Sequence, residues 1–308
     1  MSAISVKGLT KNFKTFTAVD DLNFDIPKNH VVGFLGPNGA GKTTTLRMLV
    51  GLSKPTKGNI TICDKQVIFG KSDTNHHIGY LPELPSMYGW MTGYEYLYLI
   101  SDIFKLTNQT KISRIKKLLE LVNLTAAKDK KISTYSGGMK QRLGIAQALI
   151  NNPEVVILDE PVSALDPIGR KEVLEIIEKL KQNHTILLST HILSDVDKIC
   201  DDVIIIKEGK LIVASPLTKL KEKYASPILE IEFSTDPTKA LEKIKGQKWV
   251  KHTEQSGKAI KIWLSDETVI DKNIPLDFLL SQKIGILRYG LTLPETEDLF
   301  IELLGENK

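Results

Sequence analysis

The sequence predicts an α/β fold with a parallel sheet core, an antiparallel β subdomain and a helical subdomain, followed by a small C-terminal α+β domain. Three observations carry this. Short runs that are apolar at every position, such as Val155-Val156-Ile157-Leu158, have the character of strands buried on both faces, as parallel strands are. Those runs lead through turns into segments with helical spacing. Beyond about residue 227 the pattern changes to alternating strands, such as Leu229-Glu230-Ile231-Glu232-Phe233, interleaved with helices.

Taken in order, Ile4 to Ile26 contains short alternating runs that predict antiparallel strands, with Phe13 and Phe16 between them. An aromatic there suits either a core position or a platform for a planar ring. His30 to Leu35 is a β-prone run and Thr45 to Val50 is helical, so the intervening Gly36-Pro37-Asn38-Gly39-Ala40-Gly41-Lys42-Thr43-Thr44 falls on a strand-to-helix turn. It matches G-x-x-x-x-G-K-[ST] at each fixed position. Glycines let backbone N–H groups curl around an anion, and the helix after them points its positive end at the same place. Such a loop is a mould for a polyphosphate, here read as ATP, with Lys42 reaching the β- and γ-phosphates and the Thr43 hydroxyl holding Mg²⁺.

Lys54 to Gly58 is a turn, Asn59 to Cys63 a strand, and Ile78 to Glu83 a strand ending at Pro82. From Leu84 to about Lys131 the pattern is helical. Tyr88, Tyr94, Tyr96 and Tyr98, with Met87, Trp90 and Met91, supply either core or a docking surface for a partner helix. Thr134 to Arg142 leads into a helix from Leu143 to Ile150; Ser136 is a natural N-cap, and Gly137-Gly138 expose the first N–H groups as a second anion-binding helix end. The strand Val155 to Leu158 ends in Asp159-Glu160, at the end of a parallel strand where ligands bind; Asp159 suits Mg²⁺ and Glu160 the polarisation of a water. Ser163 to Pro167 opens a helix from Ile168 to Lys181, and Thr185 to Thr190 is a strand that delivers His191 to the same rim.

After the turn Lys207 to Lys210, a linker (216–226) leads to strands at Leu229 to Phe233, Trp249 to Glu254, Ala259 to Leu264 and Ile284 to Tyr289. Helices are predicted from Asp236 to Gly246, Pro275 to Gln282 and Pro294 to Leu304. This βαββαβα order resembles a ferredoxin-like module. The expected domains are thus 1–215, containing the helical subdomain at about 84–150, and 227–308.

The 308 residues include 42% hydrophobic and 25% charged, with net charge +4, which gives no reason to expect a nucleic-acid partner. The basic stretch Lys111 to Lys131 carries Ile112, Ile115, Leu118, Leu119 and Val122 at helical spacing, as an amphipathic helix with a solvated face does. Cys63 and Cys200 have no CxxC or Cys/His spacing around them, so neither a disulfide framework nor a zinc site is expected. The N-terminus lacks an apolar signal core and the longest apolar runs are strand-length, so no membrane-spanning segment is expected.

Together these residues resemble the nucleotide-binding subunit of an ATP-binding cassette (ABC) transporter over about residues 1 to 215. The resemblance implies that Phe13 stacks on adenine, that Gly36 to Thr43 is Walker A and Val155 to Asp159 Walker B, that Glu160 is catalytic, that Ser163 to Asp166 is the D-loop, and that His191 is the switch histidine. Tyr135 to Met139 resembles the Leu-Ser-Gly-Gly-Gln signature, which in this family contacts ATP bound on the opposite subunit. Two positions depart from the pattern: Glu83 stands where a glutamine is usual and could approach Mg²⁺ or water, and Met139 replaces the signature glutamine. Both departures resemble the branch serving ABC-2 type exporters of drugs and antimicrobial peptides. The resemblance further implies a head-to-tail dimer around two MgATP, peripheral on the cytoplasmic face of the cell membrane, driving a separate integral-membrane permease docked near Glu83 to Met91. The alternative is a soluble ABC-family ATPase acting on ribosomes or nucleic acid. A simple P-loop kinase or GTPase would leave Ser136 to Gly138 and His191 without a role.

Overall fold

The computed structural model describes residues 2–292 except 72, 164, 224–227, 266–269, 271, 283 and 284. Two compact units divide at Leu217 and Thr218. The first begins with the hairpin β1 (Ser2–Phe13) and β2 (Phe16–Pro27), then β3 (Val31–Leu35), α1 (Lys42–Leu49), β4 (Lys57–Ile62), β5 (Lys65–Gln66) and β6 (Ile78–Leu81). Helices α2 (Gly93–Ile103), α3 (Asn108–Leu121) and α4 (Gly137–Leu149) come next. The remainder is β7 (Val155–Asp159), α5 (Pro167–Leu180), β8 (Thr185–Thr190), α6 (Leu193–Ile199), β9 (Asp202–Lys207), β10 (Lys210–Pro216) and the start of α7 (Leu217–Lys223).

β1, β2, β4 and β5 form an antiparallel sheet in the order β2-β1-β4-β5, and the other strands form a sheet in the order β10-β9-β3-β8-β7-β6. In that second sheet every pairing but the edge pair β10–β9 is parallel. Strands β3, β7 and β8 are buried at every position because successive side chains enter different cores. Val156, Leu158, Ile186 and Leu188 join the helices on one face, whereas Val155, Ile157 and Leu187 join β1, β2 and β4 on the other. That double coverage is why these strands show no polar alternation in the sequence, whereas along the edge strand β10 exposed and half-buried positions alternate. Parallel register also brings the C-terminal ends of β3, β6, β7 and β8 to one rim.

Two expectations require correction. Leu84 to Thr92 is not helical: Pro82, Pro85 and Gly89 interrupt it, and α2 starts only at Gly93, where Thr92 and Glu95 form a reciprocal capping box. Ile112 is exposed; Lys111 occupies the inward position beside it, paired with Asp102 and lying 4.9 Å from the Tyr98 ring centre. The tyrosines divide between the two readings. Tyr96 is buried and bonded to Gln147, Tyr94 and Tyr98 pack against the core, and Tyr88 is exposed.

In the second unit β11 (Ile228–Phe233), α8 (Thr238–Lys245), β12 (Val250–Ser256), β13 (Ala259–Leu264), α9 (Ile274–Ser281) and β14 (Ile286–Thr292) take the expected βαββαβ order. Its antiparallel sheet has the order β12-β13-β11-β14. Ile231, Phe233, Ile244, Ile260, Ile262 and Leu279 form its core. The helix expected at Pro294 to Leu304 lies outside the described residues.

Candidate active site

The turn from β3 into α1 is held by backbone conformations that suit glycine. Gly41 has φ +100°, and a Cβ there would lie 2.4 Å from the Ala18 carbonyl oxygen, so this residue lets the loop pass close to β2. Lys42 Nζ donates to the Gly36 carbonyl at 2.7 Å and to that of Pro37 at 3.4 Å, which folds the ammonium back across the loop. It also lies 3.8 Å from Glu160 Oε1. Burial lowers the Lys42 pKa from its ordinary value, while the carboxylates of Glu160, Asp159 and Glu83 oppose that fall.

The acid pair stands at the end of β7, where Asp159 is in register with Ser189 of β8. Asp159 Oδ1 accepts the Ser189 hydroxyl at 2.6 Å and the Thr43 hydroxyl at 3.3 Å. Glu160 takes a left-handed backbone with φ +48°, a conformation that costs an ordinary L-residue roughly 1–2 kcal/mol. Its N–H is held by Ser189, bonding the carbonyl at 3.2 Å and the hydroxyl at 2.9 Å. The turn in the backbone separates the two acids: Asp159 faces Thr43, and Glu160 Oε2 meets His191 Nδ1 at 2.9 Å. Past His191, the wholly buried Asp195 of α6 receives a forked pair of bonds from Arg170 of α5 at 2.7–3.0 Å, which braces the segment carrying the histidine.

Phe13, Phe16, Ala18, Pro37 to Thr44, Glu83, Glu160 and His191 line one cleft of about 450 Å³. Phe13 is 50% exposed at the tip of the β1–β2 hairpin, with Lys11 Nζ 4.9 Å from its ring centre, so the core reading does not hold for it. Gly36 is not part of that lining; its carbonyl accepts from Lys42, which is.

The remaining candidates do not line that cleft. Ser136 caps α4, its hydroxyl accepting the Met139 N–H at 3.2 Å. A side chain on Gly137 would meet nothing within 4 Å, so this helix end is open. Met139, in the first turn of α4, is partly buried against the core. Asp166 caps α5 through the Gly169 N–H at 3.0 Å. Ser189, which bonds both acids, is hidden in the sequence, since a serine near the end of an apolar strand declares itself only when the strands are paired.

A glycine loop at a helix N-terminus, with a lysine, a hydroxyl and two acids converging on it, defines a P-loop nucleoside triphosphatase. Comparison with known proteins makes this more specific. The family model for ABC transporters matches residues 19–163. The ABC transporter ATP-binding protein YhcH of Bacillus subtilis is 35% identical, covering 100% of this chain and 97% of its own. The bacitracin transport ATP-binding protein BcrA of Bacillus licheniformis is 37% identical, covering 98% and 97%. Among solved structures, the ATP-binding subunit of an ABC transporter superposes with TM-score 0.66 at 29% identity, over 72% of this chain and 93% of that one. A dimeric ATP-binding cassette bound to ADP and phosphate gives 0.63 at 26%, over 70% and 98%. The chain belongs to the ABC transporter ATP-binding proteins, and it is an ATPase.

Proposed function

We propose that this chain powers an exporter: two copies pair head to tail around two ATP molecules and drive a separate integral-membrane permease from the cytoplasmic face of the membrane. The observation that carries the dimer is the division of the candidate residues. Lys42, Thr43, Glu160 and His191 share a cleft, whereas the serine-capped, open end of α4 bears on no part of that cleft within its own chain. An exposed helix N-terminus of this kind suits the phosphates of a nucleotide held by a twin. Export is favoured by the names of relatives, among them Nod factor export ATP-binding protein I of Burkholderia lata at 33% identity over 99% of this chain.

In this reading Phe13 stacks on the adenine ring and the loop amides with Lys42 bind the phosphates. Glu160, set at its angle by Ser189 and bonded to His191, orients the attacking water. Thr43 and Asp159 place a hydroxyl and a carboxylate oxygen 3.3 Å apart, a hard-oxygen set that fits Mg²⁺, and Glu83 adds a carboxylate on the cleft wall. The ion would supply charge neutralisation at the phosphates. Because phosphoryl transfer depends on positioning and charge, separating two chains takes the site apart.

The permease surface of this proposal begins beside Glu83, where Leu84 is 82% and Trp90 71% exposed, with Tyr88 packed against Trp90. Such a group of exposed apolar side chains suits a partner helix. No helix among the described residues is long and apolar enough to cross a membrane, in keeping with a partner that does so. A crosslinking experiment tests the pairing. Cysteines at Asn38 and Gly137, on a background lacking Cys63 and Cys200, are expected to join two chains only with MgATP; retained activity with no crosslink would defeat the dimer.

A further inference from the structure

At the rim of the parallel sheet opposite the nucleotide cleft, three donor groups of different chemistry meet. We propose that Cys63, His77 and Glu154 form a binding site for a thiophilic divalent cation, Zn²⁺ by the nature of its donors. A donor atom from each lies within 4.8 Å of the other two, and His77 Nδ1 is 2.8 Å from Glu154 Oε1.

The fold sets these positions through the main chain. His77 and Glu154 immediately precede Ile78 and Val155, which pair in the parallel register of β6 and β7, so their side chains leave adjacent strands at the same level. The His77 carbonyl accepts the Val155 N–H at 2.9 Å, and the His77 N–H is bonded to the Thr74 carbonyl at 2.9 Å. Cys63 comes from the other sheet. It leaves β4 in a left-handed turn with φ +48°, its N–H bonded to the Ala3 carbonyl at 2.9 Å.

A thiolate, an imidazole and a carboxylate form a mixed soft and borderline set that favours Zn²⁺ over the oxygen-seeking Mg²⁺ or Ca²⁺. Bonds of roughly 2.0–2.3 Å place tetrahedral ligands about 3.3–3.8 Å apart. The widest edge of the triad must therefore contract by at most about 1 Å, which the half-exposed Glu154 side chain can supply by rotation. Partial exposure leaves room for water as the fourth ligand. The cation would replace the hydrogen-bonded contact between His77 and Glu154 and join the antiparallel sheet to the parallel one. The competing reading is an ordinary histidine–carboxylate bond with the Cys63 thiol hydrogen-bonded to the same carboxylate, burial and Glu154 holding that thiol protonated with its pKa pushed up to about 11.

Metal titration of the full-length protein separates the two. After chelator treatment and desalting, in the absence of nucleotide, Co²⁺ is expected to produce a thiolate-to-cobalt charge-transfer band that saturates and that Zn²⁺ abolishes. The band should vanish in Cys63→Ser, and its midpoint should move at least about tenfold in His77→Gln and in Glu154→Gln. Zn²⁺ should also slow alkylation of Cys63 in the unaltered protein by about tenfold or more, a readout independent of how the variants fold. No band, a band that survives Cys63→Ser, or alkylation of Cys63 indifferent to Zn²⁺ would each overturn the site.

Discussion

Ser189 joins the two acids at the end of β7 through one hydroxyl: its oxygen accepts the Glu160 N–H at 2.9 Å while its hydrogen goes to Asp159 Oδ1 at 2.6 Å. A neutral residue of the neighbouring strand thus sets the angle of one carboxylate and the charge environment of the other. Ser189→Ala removes both bonds and leaves the strained Glu160 N–H with only the 3.2 Å contact to the residue 189 carbonyl. We expect the variant to bind ATP with a KM near that of the parent and to turn it over roughly ten- to a hundredfold more slowly. Ser189→Thr, which keeps the hydroxyl, should recover much of the loss. Steady-state phosphate release decides it, and an unchanged kcat would remove Ser189 from the machinery.

Glu160 carries the proposed chemistry, so replacing it by an isosteric amide separates binding from hydrolysis. Glu160→Gln keeps a polar group beside Lys42 and His191 but removes the negative charge that would polarise water. Turnover is expected to fall by about two to four orders of magnitude, the usual scale for a general base. ATP-bound dimers should then accumulate on gel filtration. A variant that eluted as a monomer with MgATP would contradict the pairing, and one with full turnover would contradict the role of the acid.

Phe13 tests the nucleotide end of the cleft. A stacked base contributes about 1–3 kcal/mol by alanine substitution, so Phe13→Ala should raise the KM for ATP roughly 5- to 150-fold with little change in kcat. Phe16 lines the same cleft and could take over the stacking, in which case the double variant and not Phe13→Ala alone shows the rise. If neither variant shifts the KM, the ring is bound elsewhere.

Much of this site is legible in the amino-acid sequence because its groups lie at fixed intervals around strand ends. The glycine loop and Asp159-Glu160 come directly after apolar runs and His191 follows another with Ser189 and Thr190 between, and the parallel register alone brings them together. Ser136 is equally visible as a helix cap. The hidden part depends on pairing across strands: Ser189 acts on residues about thirty positions away in sequence, and the approach of Cys63 to His77 and Glu154 needs three separate segments to meet. The helical pattern of Leu84 to Thr92 misleads for a different reason. Its aromatic spacing imitates an amphipathic helix, but two prolines and a capping box set the real boundary.

The packing of α4 on β6 supplies a prediction about stability that leaves the chemistry aside. A Cβ on Gly79 would lie 2.2 Å from the Ala148 carbonyl oxygen, and backbone on both sides limits how far the contact can relax. Overpacking of this kind costs typically about 1–3 kcal/mol. In a unit of this size that corresponds to a fall of about 2–4 °C per kcal/mol in the melting temperature. Gly79→Ala should therefore melt several degrees lower, while its kcat at low temperature stays close to that of the parent. A variant that melts with the parent would mean that helix and strand move apart freely.

His184 makes stability depend on pH in a direction that can be worked out. It is buried, and its Nδ1 lies 2.7 Å from the Pro153 carbonyl oxygen, to which it donates as Nδ1–H. Burial lowers its pKa below the ordinary 6.5; the Pro153 carbonyl opposes this and the charge of Arg114 adds to it. As pH falls through 6.5 the unfolded chain takes up a proton that the folded chain still refuses. The unfolded state then binds more protons, so stability present above the unfolded pKa is lost as pH drops towards the folded one. One proton gives a slope of at most about 1.4 kcal/mol per pH unit. His184→Asn keeps an N–H donor at similar reach and cannot titrate, so its urea midpoint should fall less steeply than the parent's between about pH 7 and pH 5. Because every other ionisable group is common to both proteins, the difference between the two curves isolates this histidine, and parallel curves would show that it titrates alike in the folded and unfolded chains.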